Sequence, residues 1–450
     1  SAVVVQDIAG FNARYLDPVS PYYAPGIVVA GQWPEGKLNN AGEMIALTDV
    51  KGVGILTFKY DDGGKWPGRS DGRGSSLILP DPNALAGMTL AERNVYLADG
   101  DNWKSSTGFH GNPGAAEVTN TGVPIVLISE ILAHTDPPLL DAIELHNPSS
   151  QPVDLSGWRL TESASSLQGF RIPDGTVISS GGYLVFDETD FNPNGLWNPN
   201  AGPRGSDEFA LSGARGGDVW LIEADGAGNL LAFVDHVEFG ASSNGVSFGR
   251  WPNGSDGKLY PMKERSLFDE ATGAYPPAKR GGPNPGPMRG QIMISEIMYN
   301  PPDGNQDLEF VELYNSSDSS VSLSGWELDK GVDFTFLPGT LLKPGQSLVV
   351  VGFDLNATEK LTAFRLAYGI GPEVVLVGGW QGNLNNGGET ISLLRSDAPP
   401  ADDPTYTPMV IEESVTYSNL SPWPSQADGN GASLVRSKRD SWSDDVQSWE

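Results

Sequence analysis

Few side chains in this 450-residue chain have the type and spacing for chemistry. The most suggestive lie in DGNQDLE, where Asp303, Asn305, Asp307 and Glu309 set oxygen donors at alternate positions. A compact loop wraps Ca2+ with that spacing, because a hard cation is held by several oxygens at once. The glycine comes early and no EF-hand loop follows, so a plain solvated Asp/Asn turn stays open beside the calcium reading. DFNPNG (Asp190, Asn192, Asn194) and DGDN (Asp99, Asp101, Asn102) are weaker versions, the first carrying a proline that works against wrapping. Glu130, Glu144, Glu296 and Glu312 recur in equivalent phrases. Paired carboxylates can do acid–base work, but recurrence in separate copies reads more simply as acceptors for neighbouring turns. The four histidines, His110, His134, His146 and His236, form no HExxH or other metal-ligand spacing. His146 stands where the other complete copy has Tyr314, which suits packing or surface. GARGG (Gly213–Gly217) sits in a β-turn context, and no GxSxG, P-loop or dinucleotide fingerprint follows a strand.

Composition narrows the classes further. Without cysteine there is no disulfide, thiolate zinc site or cysteine nucleophile, which leans towards an exported bacterial protein. A net charge of −29 repels phosphate backbones, so nucleic acid is not expected as a partner. It suits solubility, saline media or divalent cations. No apolar run reaches the length of a membrane span. Trp33, Trp66, Trp251, Trp380 and Trp423 lie beside Gly or Pro near loops. They could stack on carbohydrate, or plug the open ends of folded units; equivalent placement in different copies favours the plug.

The elements that must position these residues are short and β-rich. ISEILAHTDPP begins at Ile128 and ISEIMYNPP at Ile294. AIELHNPSSQPVDLSGWRL answers FVELYNSSDSSVSLSGWELD, and FRIPDGTVISSGGYLVF answers FTFLPGTLLKPGQSLVVV. Apolar runs of four to six residues alternate with turns rich in Pro, Gly, Asn and Asp. This pattern predicts tandem immunoglobulin-like antiparallel β-sandwiches, an all-β fold. The rings of Gly157-Trp158 and Gly325-Trp326 are expected to fill the cores. Helices are expected over TEKLTAFRLAYG, with Leu361, Phe364 and Tyr368 on one face and Asn356 or Thr358 as cap, and more weakly over Asn83–Leu97.

A third copy is present only in its later half. VVVQDIAGFNARY resembles VVVGFDLNATEKLTAFRLAY, GQWPEGKLNNAGEMIAL matches GGWQGNLNNGGETISL, and WPGRSDGRGSSL matches WPSQADGNGASL. The reading is therefore a partial domain over 1–118, a whole one over 122–288 and another over 290–450, joined through GFHGNPGAAEVTNTG and KRGGPNPGPMRG. The 450 residues read as an excerpt of a longer polypeptide.

These phrases are similar to the lamin-tail domain in its bacterial form. The order is an I-S-E-I strand (Ile294–Ile297), E-x-V-E-L-Y-N (Glu309–Asn315) and L-S-G-W (Leu323–Trp326). P-G-T (Pro338–Thr340), L-N-N-G-G-E (Leu384–Glu389) and the W-P…D-G-N-G-A-S-L close (Trp423–Leu434) follow. The middle copy departs at LSGARGGDVWL and FGRWPNGSDG. The resemblance implies immunoglobulin-like accessory modules of large secreted or cell-surface proteins, which accompany exported nucleases, phosphatases or a kinase module related to a spore-coat protein. The expected role is a noncatalytic structural, adhesive or scaffolding array outside the cell. Its partners would be other chains or further parts of the same precursor, which complete the first sandwich. The alternative is an extracellular polysaccharide- or polymer-binding module.

Overall fold

The computed structural model describes residues 2–450 except 21, 34–36, 40, 41, 62–65, 68, 69, 71–73, 115–124, 164, 165, 255–257, 271–273, 275, 401, 402 and 440. The expected boundary between 118 and 122 falls outside the described residues.

Residues 2–114 hold three separate two-stranded ladders. β1 (Ala2–Val5) runs parallel to β2 (Val28–Gln32) across helix α1 (Ile8–Tyr15), and β3 (Met44–Thr48) pairs antiparallel with β4 (Gly54–Lys59). β5 (Leu77–Ile78) pairs with β6 (Lys104–Ser105) after helix α2 (Leu90–Leu97). The expected helix over Asn83–Leu97 is shorter: Gly87 (φ +82°) interrupts it, and α2 starts only behind the Thr89/Glu92 capping box. Beyond β6, Thr107–Phe109 add to the edge of the middle sandwich. The N–H of Phe233 donates to Thr107 O (2.7 Å) and that of Phe109 to Leu231 O (3.1 Å).

In the middle sandwich β7 (Leu127–Leu132), β8 (Ala142–His146), β9 (Val153–Asp154), β10 (Arg159–Thr161), β11 (Phe170–Arg171), β12 (Val177–Ile178) and β13 (Tyr183–Asp187) lead into the one-turn helix α3 (Glu188–Phe191). β14 (Gly217–Ala224), β15 (Leu230–Phe239), β16 (Phe248–Arg250), β17 (Leu259–Pro261), β18 (Phe268–Asp269) and β19 (Ala278–Lys279) complete it. A sheet ordered β13-β8-β7-β16-β17 packs on one ordered β11-β10-β14-β15.

The last sandwich comprises β20 (Ile292–Met298), β21 (Phe310–Asn315), β22 (Val321–Ser322), β23 (Glu327–Lys330), β24 (Val332–Thr335), β25 (Leu341–Leu342), β26 (Ser347–Val351), α4 (Thr358–Tyr368), β27 (Leu376–Gly378), β28 (Gln381–Gly382), β29 (Gly388–Ser396), β30 (Met409–Ser418) and β31 (Leu434–Val435). Its sheets run β27-β26-β21-β20-β31 and β28-β24-β23-β29-β30. The two sandwiches share their central order, and each carries a bulge at the serine of I-S-E-I, between Ile128 and Glu130 and between Ile294 and Glu296.

Turn chemistry explains the repeated phrases. In L-S-G-W the serine hydroxyl, Ser156 or Ser324, accepts the N–H of Gly175 or Gly339 in the adjacent turn (2.8 and 2.9 Å). Gly157 and Gly325 take positive φ (79° and 73°), which turns Trp158 and Trp326 into the two cores. Asn147 and Asn315 each donate side-chain N–H groups to a loop and to a strand, Gln151 O and Ile178 O in one copy and Ser319 O and Leu342 O in the other. Phe364 of α4 is buried against Phe310 and Phe353, with Leu361 and Tyr368 beside it as expected. The helix's N-cap is Ala357, with no side-chain cap from Asn356 or Thr358.

Candidate functional site: sheet locks, the 303–309 loop and the sandwich junction

Glu130 and Glu144 face each other across β7 and β8, both fully buried. Glu130 accepts from the hydroxyls of Ser247 and Ser266 and from Ser266 N–H (3.1 Å); Glu144 accepts from Gly282 N–H (2.8 Å). The carboxyl of Glu144 is pushed up to about 8 by burial first and by the charge of Glu130 second; burial raises Glu130 as well. In the last sandwich Glu296 accepts from Ser433 and Glu312 from Ser295 (2.6 Å). Glu130, Glu144 and Glu296 accept from neighbouring loops, the role that their recurrence suggests, whereas Glu312 accepts from Ser295 within the adjacent strand β20.

A second lock lay outside the sequence reading. Asp235 on β15 accepts the N–H of Ile128 (2.6 Å) and pairs with Arg250 at 2.8 Å, while Arg250 Nε donates to Ile128 O (2.9 Å). Glu413 on β30 accepts the N–H of Ile294 (2.5 Å) and pairs with Arg436 at 2.5 Å. Each lock stitches the edge strand of one sheet to the I-S-E-I strand of the other. The available signal was an arginine just past the closing strand pair in both copies, Phe248-Gly249-Arg250 and Leu434-Val435-Arg436.

The 303–309 loop is two 3-10 turns, and its four oxygen-bearing side chains go separate ways. Asp303 takes positive φ (63°), and Asn305 turns back to accept the N–H of Asp307 (3.2 Å). Asp307 pairs with Lys360 of α4 at 2.7 Å. Glu309 points inward, accepts the N–H of Leu384 (3.0 Å) and is pushed up to about 7 by burial. Among the described residues, the group of His, Asp and Glu side chains whose ligand atoms lie within 4.8 Å of one another is Asp218, His236 and Glu238, on adjacent strands β14 and β15. There His236 Nε2 lies 2.6 Å from Asp218 and the imidazole stacks 3.7 Å from Trp220.

His146 is buried and stacks on Tyr183 at 4.2 Å, a packing role. None of Trp33, Trp66, Trp251, Trp380 and Trp423 is exposed; Trp380 is in the core, and Trp423 sits 6.3 Å from Trp449.

A polar surface joins the two sandwiches. Arg215 pairs with Asp403 (2.5 Å) and lies 3.9 Å over the ring of Tyr406. Arg395 donates to Ser243 (2.6 Å), and Tyr260 donates to Asp444 (2.7 Å) while its ring meets Trp442 edge-on at 4.7 Å. Ala241 and Val410 form a bridge, and Ile411 packs against the core of the middle sandwich. A cleft runs along this junction, lined by His236, Glu238, Lys258, Asp329, Lys330 and Met409 among others.

No helix among the described residues is long and apolar enough to cross a membrane. No curated protein matches the chain. A crystal structure of a DUF4876 family protein from Bacteroides thetaiotaomicron VPI-5482 is similar at 10% identity over 66% of this chain and 79% of that one, with a TM-score of 0.22, too low to carry an argument. The Lamin Tail Domain model matches twice, over residues 119–238 and 285–407, together more than half of the chain. With that match and two immunoglobulin-like sandwiches built on its phrases, the chain belongs to the lamin tail domain family.

Proposed function

We propose that the chain is a noncatalytic scaffolding array of a large bacterial extracellular or cell-surface protein, whose sandwiches hold other parts of the assembly at a set distance and angle. One observation carries the reading: the two sandwiches are joined by an ion pair, side-chain hydrogen bonds, a strand bridge and Ile411 packed against the middle core. A flexible tether needs none of these. The absence of natural cysteine makes the test direct. Spin labels on Asp174→Cys and Glu359→Cys should give one narrow distance distribution, broadened by Arg215→Ala combined with Tyr260→Phe. A broad distribution in the otherwise unaltered chain refutes the scaffold reading.

The charged cleft supports the second reading, an extracellular polymer lying between the sandwiches. Saturable polysaccharide binding that is lost on Lys258→Ala with Lys330→Ala would favour it over a spacer. Binding that is instead lost on Trp66→Ala or Trp423→Ala would place the polymer on the indoles.

A further inference from the structure

The described part of residues 2–114 repeats several pairings and turn bonds of the later half of the last sandwich. Among the described residues the chain has two parallel ladders, and both are strand–helix–strand units. Val3 is opposite Val29 in β1–β2, and Val349 is opposite Leu376 in β26–β27. The turn into β3 matches the turn into β29. Asn39 N–H donates to Glu43 (3.0 Å) as Asn385 N–H donates to Glu389 (2.6 Å). Tyr60 donates to Asn39 O (2.7 Å) as Tyr417 does to Asn385 O (3.0 Å). The glycine at each turn has positive φ, 85° at Gly42 and 114° at Gly388. A Cβ there would strike the carbonyl of Tyr60 or Tyr417. At the close, Trp66 and Trp103 lie 6.0 Å apart as Trp423 and Trp449 lie 6.3 Å apart. The indoles of Trp103 and Trp449 each donate to the carbonyl six residues earlier, at 2.9 and 2.7 Å.

What differs is the cover. In the last sandwich β21 pairs along the free side of β26, β23 along β29, and β20 along β31. Among the described residues, β1, β3 and β5 each have one neighbour, leaving the corresponding side of each without a strand. The consequence shows in single side chains. Val4, which corresponds to Val350, is 60% exposed against 0%; Leu47, which corresponds to Leu393, is 51% exposed against 0%. Apolar residues on open edges are templates for another strand.

We infer that the sides of β1, β3 and β5 form one docking surface for an extended polypeptide with the chemistry of β20–β24: an I-S-E-I strand, an apolar-Glu-Leu-Tyr-Asn strand antiparallel to it, and a Gly-Trp strand. In the last sandwich these strands occupy the matching sides and bury the matching residues, which defines both the occupant's pattern and its order. The I-S-E-I strand lies against β5, the E-L-Y-N strand against β1 and the Gly-Trp strand against β3. The inference does not depend on the scaffold reading, since it rests on the edges of residues 2–114 alone.

The test uses the full chain and two peptides, residues 290–346 and residues 126–182, with amide hydrogen exchange read by mass spectrometry. Alone, the amides of β1 and β3 should exchange at least ~10-fold faster than those of β26 and β29. Either peptide in excess should slow them at least ~10-fold, and Val4→Asp with Leu47→Asp should abolish that slowing without altering exchange in β7 or β20. The inference is overturned if neither peptide protects β1 and β3, or if protection survives the double substitution. It is equally overturned if the strands are already protected in the monomer. Protection that instead grows with protein concentration would assign the surface to a second copy of the chain, and overturn the inference too.

Discussion

Replacing Glu144 by glutamine should flatten the pH dependence of the middle sandwich. The carboxyl of Glu144 is held near 8 in the fold by burial and by Glu130, against 4.5 in an unfolded chain. Between those values the folded state keeps a proton that the unfolded state has released, so stability is greatest below pH 4.5 and falls as pH rises towards 8. At about 1.4 kcal/mol per pH unit the full loss is about 4–5 kcal/mol. Because the two carboxyls titrate as a pair, the drop belongs to the Glu130–Glu144 unit and spreads over the whole interval. Glutamine keeps an acceptor for Gly282 N–H and removes the titration. Hydrogen exchange of residues 127–146 from pH 5 to 8, corrected for intrinsic rates, should show wild type losing several kcal/mol and Glu144→Gln losing less, the remaining slope belonging to Asp141, whose carboxyl burial also pushes up to about 8. Parallel curves for the two proteins, or a variant less stable than wild type at pH 8, would refute the reasoning.

The locks make a second prediction. Arg436→Ala leaves Glu413 charged and buried and should destabilise β20 by ~3–5 kcal/mol in denaturant titrations, while Arg436→Met with Glu413→Leu recovers most of it. A loss below ~1 kcal/mol for the single change would show that the pair is not desolvated as described. Calcium at the 303–309 loop would have to displace Lys360 from Asp307. Lys360→Ala should therefore lower the Ca2+ concentration needed to raise the melting temperature; identical melts in Ca2+ and chelator for both proteins remove calcium from this loop.

Local grammar was legible in the sequence, and long-range pairing was not. L-S-G-W and P-G-T could be read as punctuation because a serine, a positive-φ glycine and a buried ring act within about twenty residues of each other. The E-x-V-E-L-Y-N strand and the α4 face were readable for the same reason. Asp235–Arg250 and Glu413–Arg436 were not, because the acid changes type between copies and each pair meets only after two sheets close. Alternate spacing in DGNQDLE was a poor guide to convergence: a positive φ at Asp303 and two tight turns send alternate side chains in unrelated directions. Only Lys360, fifty-three residues on, decides what Asp307 holds.

The attachment of Thr107–Phe109 to the edge of β15 also determines how the chain would yield to pulling from its ends. That joint is a short stretch of backbone lying antiparallel to Leu231–Phe233, held by two described backbone hydrogen bonds and the contact of Phe109 with Phe233. The junction between the sandwiches spreads the same tension over an ion pair, separate side-chain hydrogen bonds, a strand bridge and the packing of Ile411. Under load the first joint is expected to give way before the second. Each residue it releases pays out about 3.4 Å of slack while both sandwiches stay folded, and the strand can rebind when the load falls. The two sandwiches would then move as one unit on a reversible extensible lead.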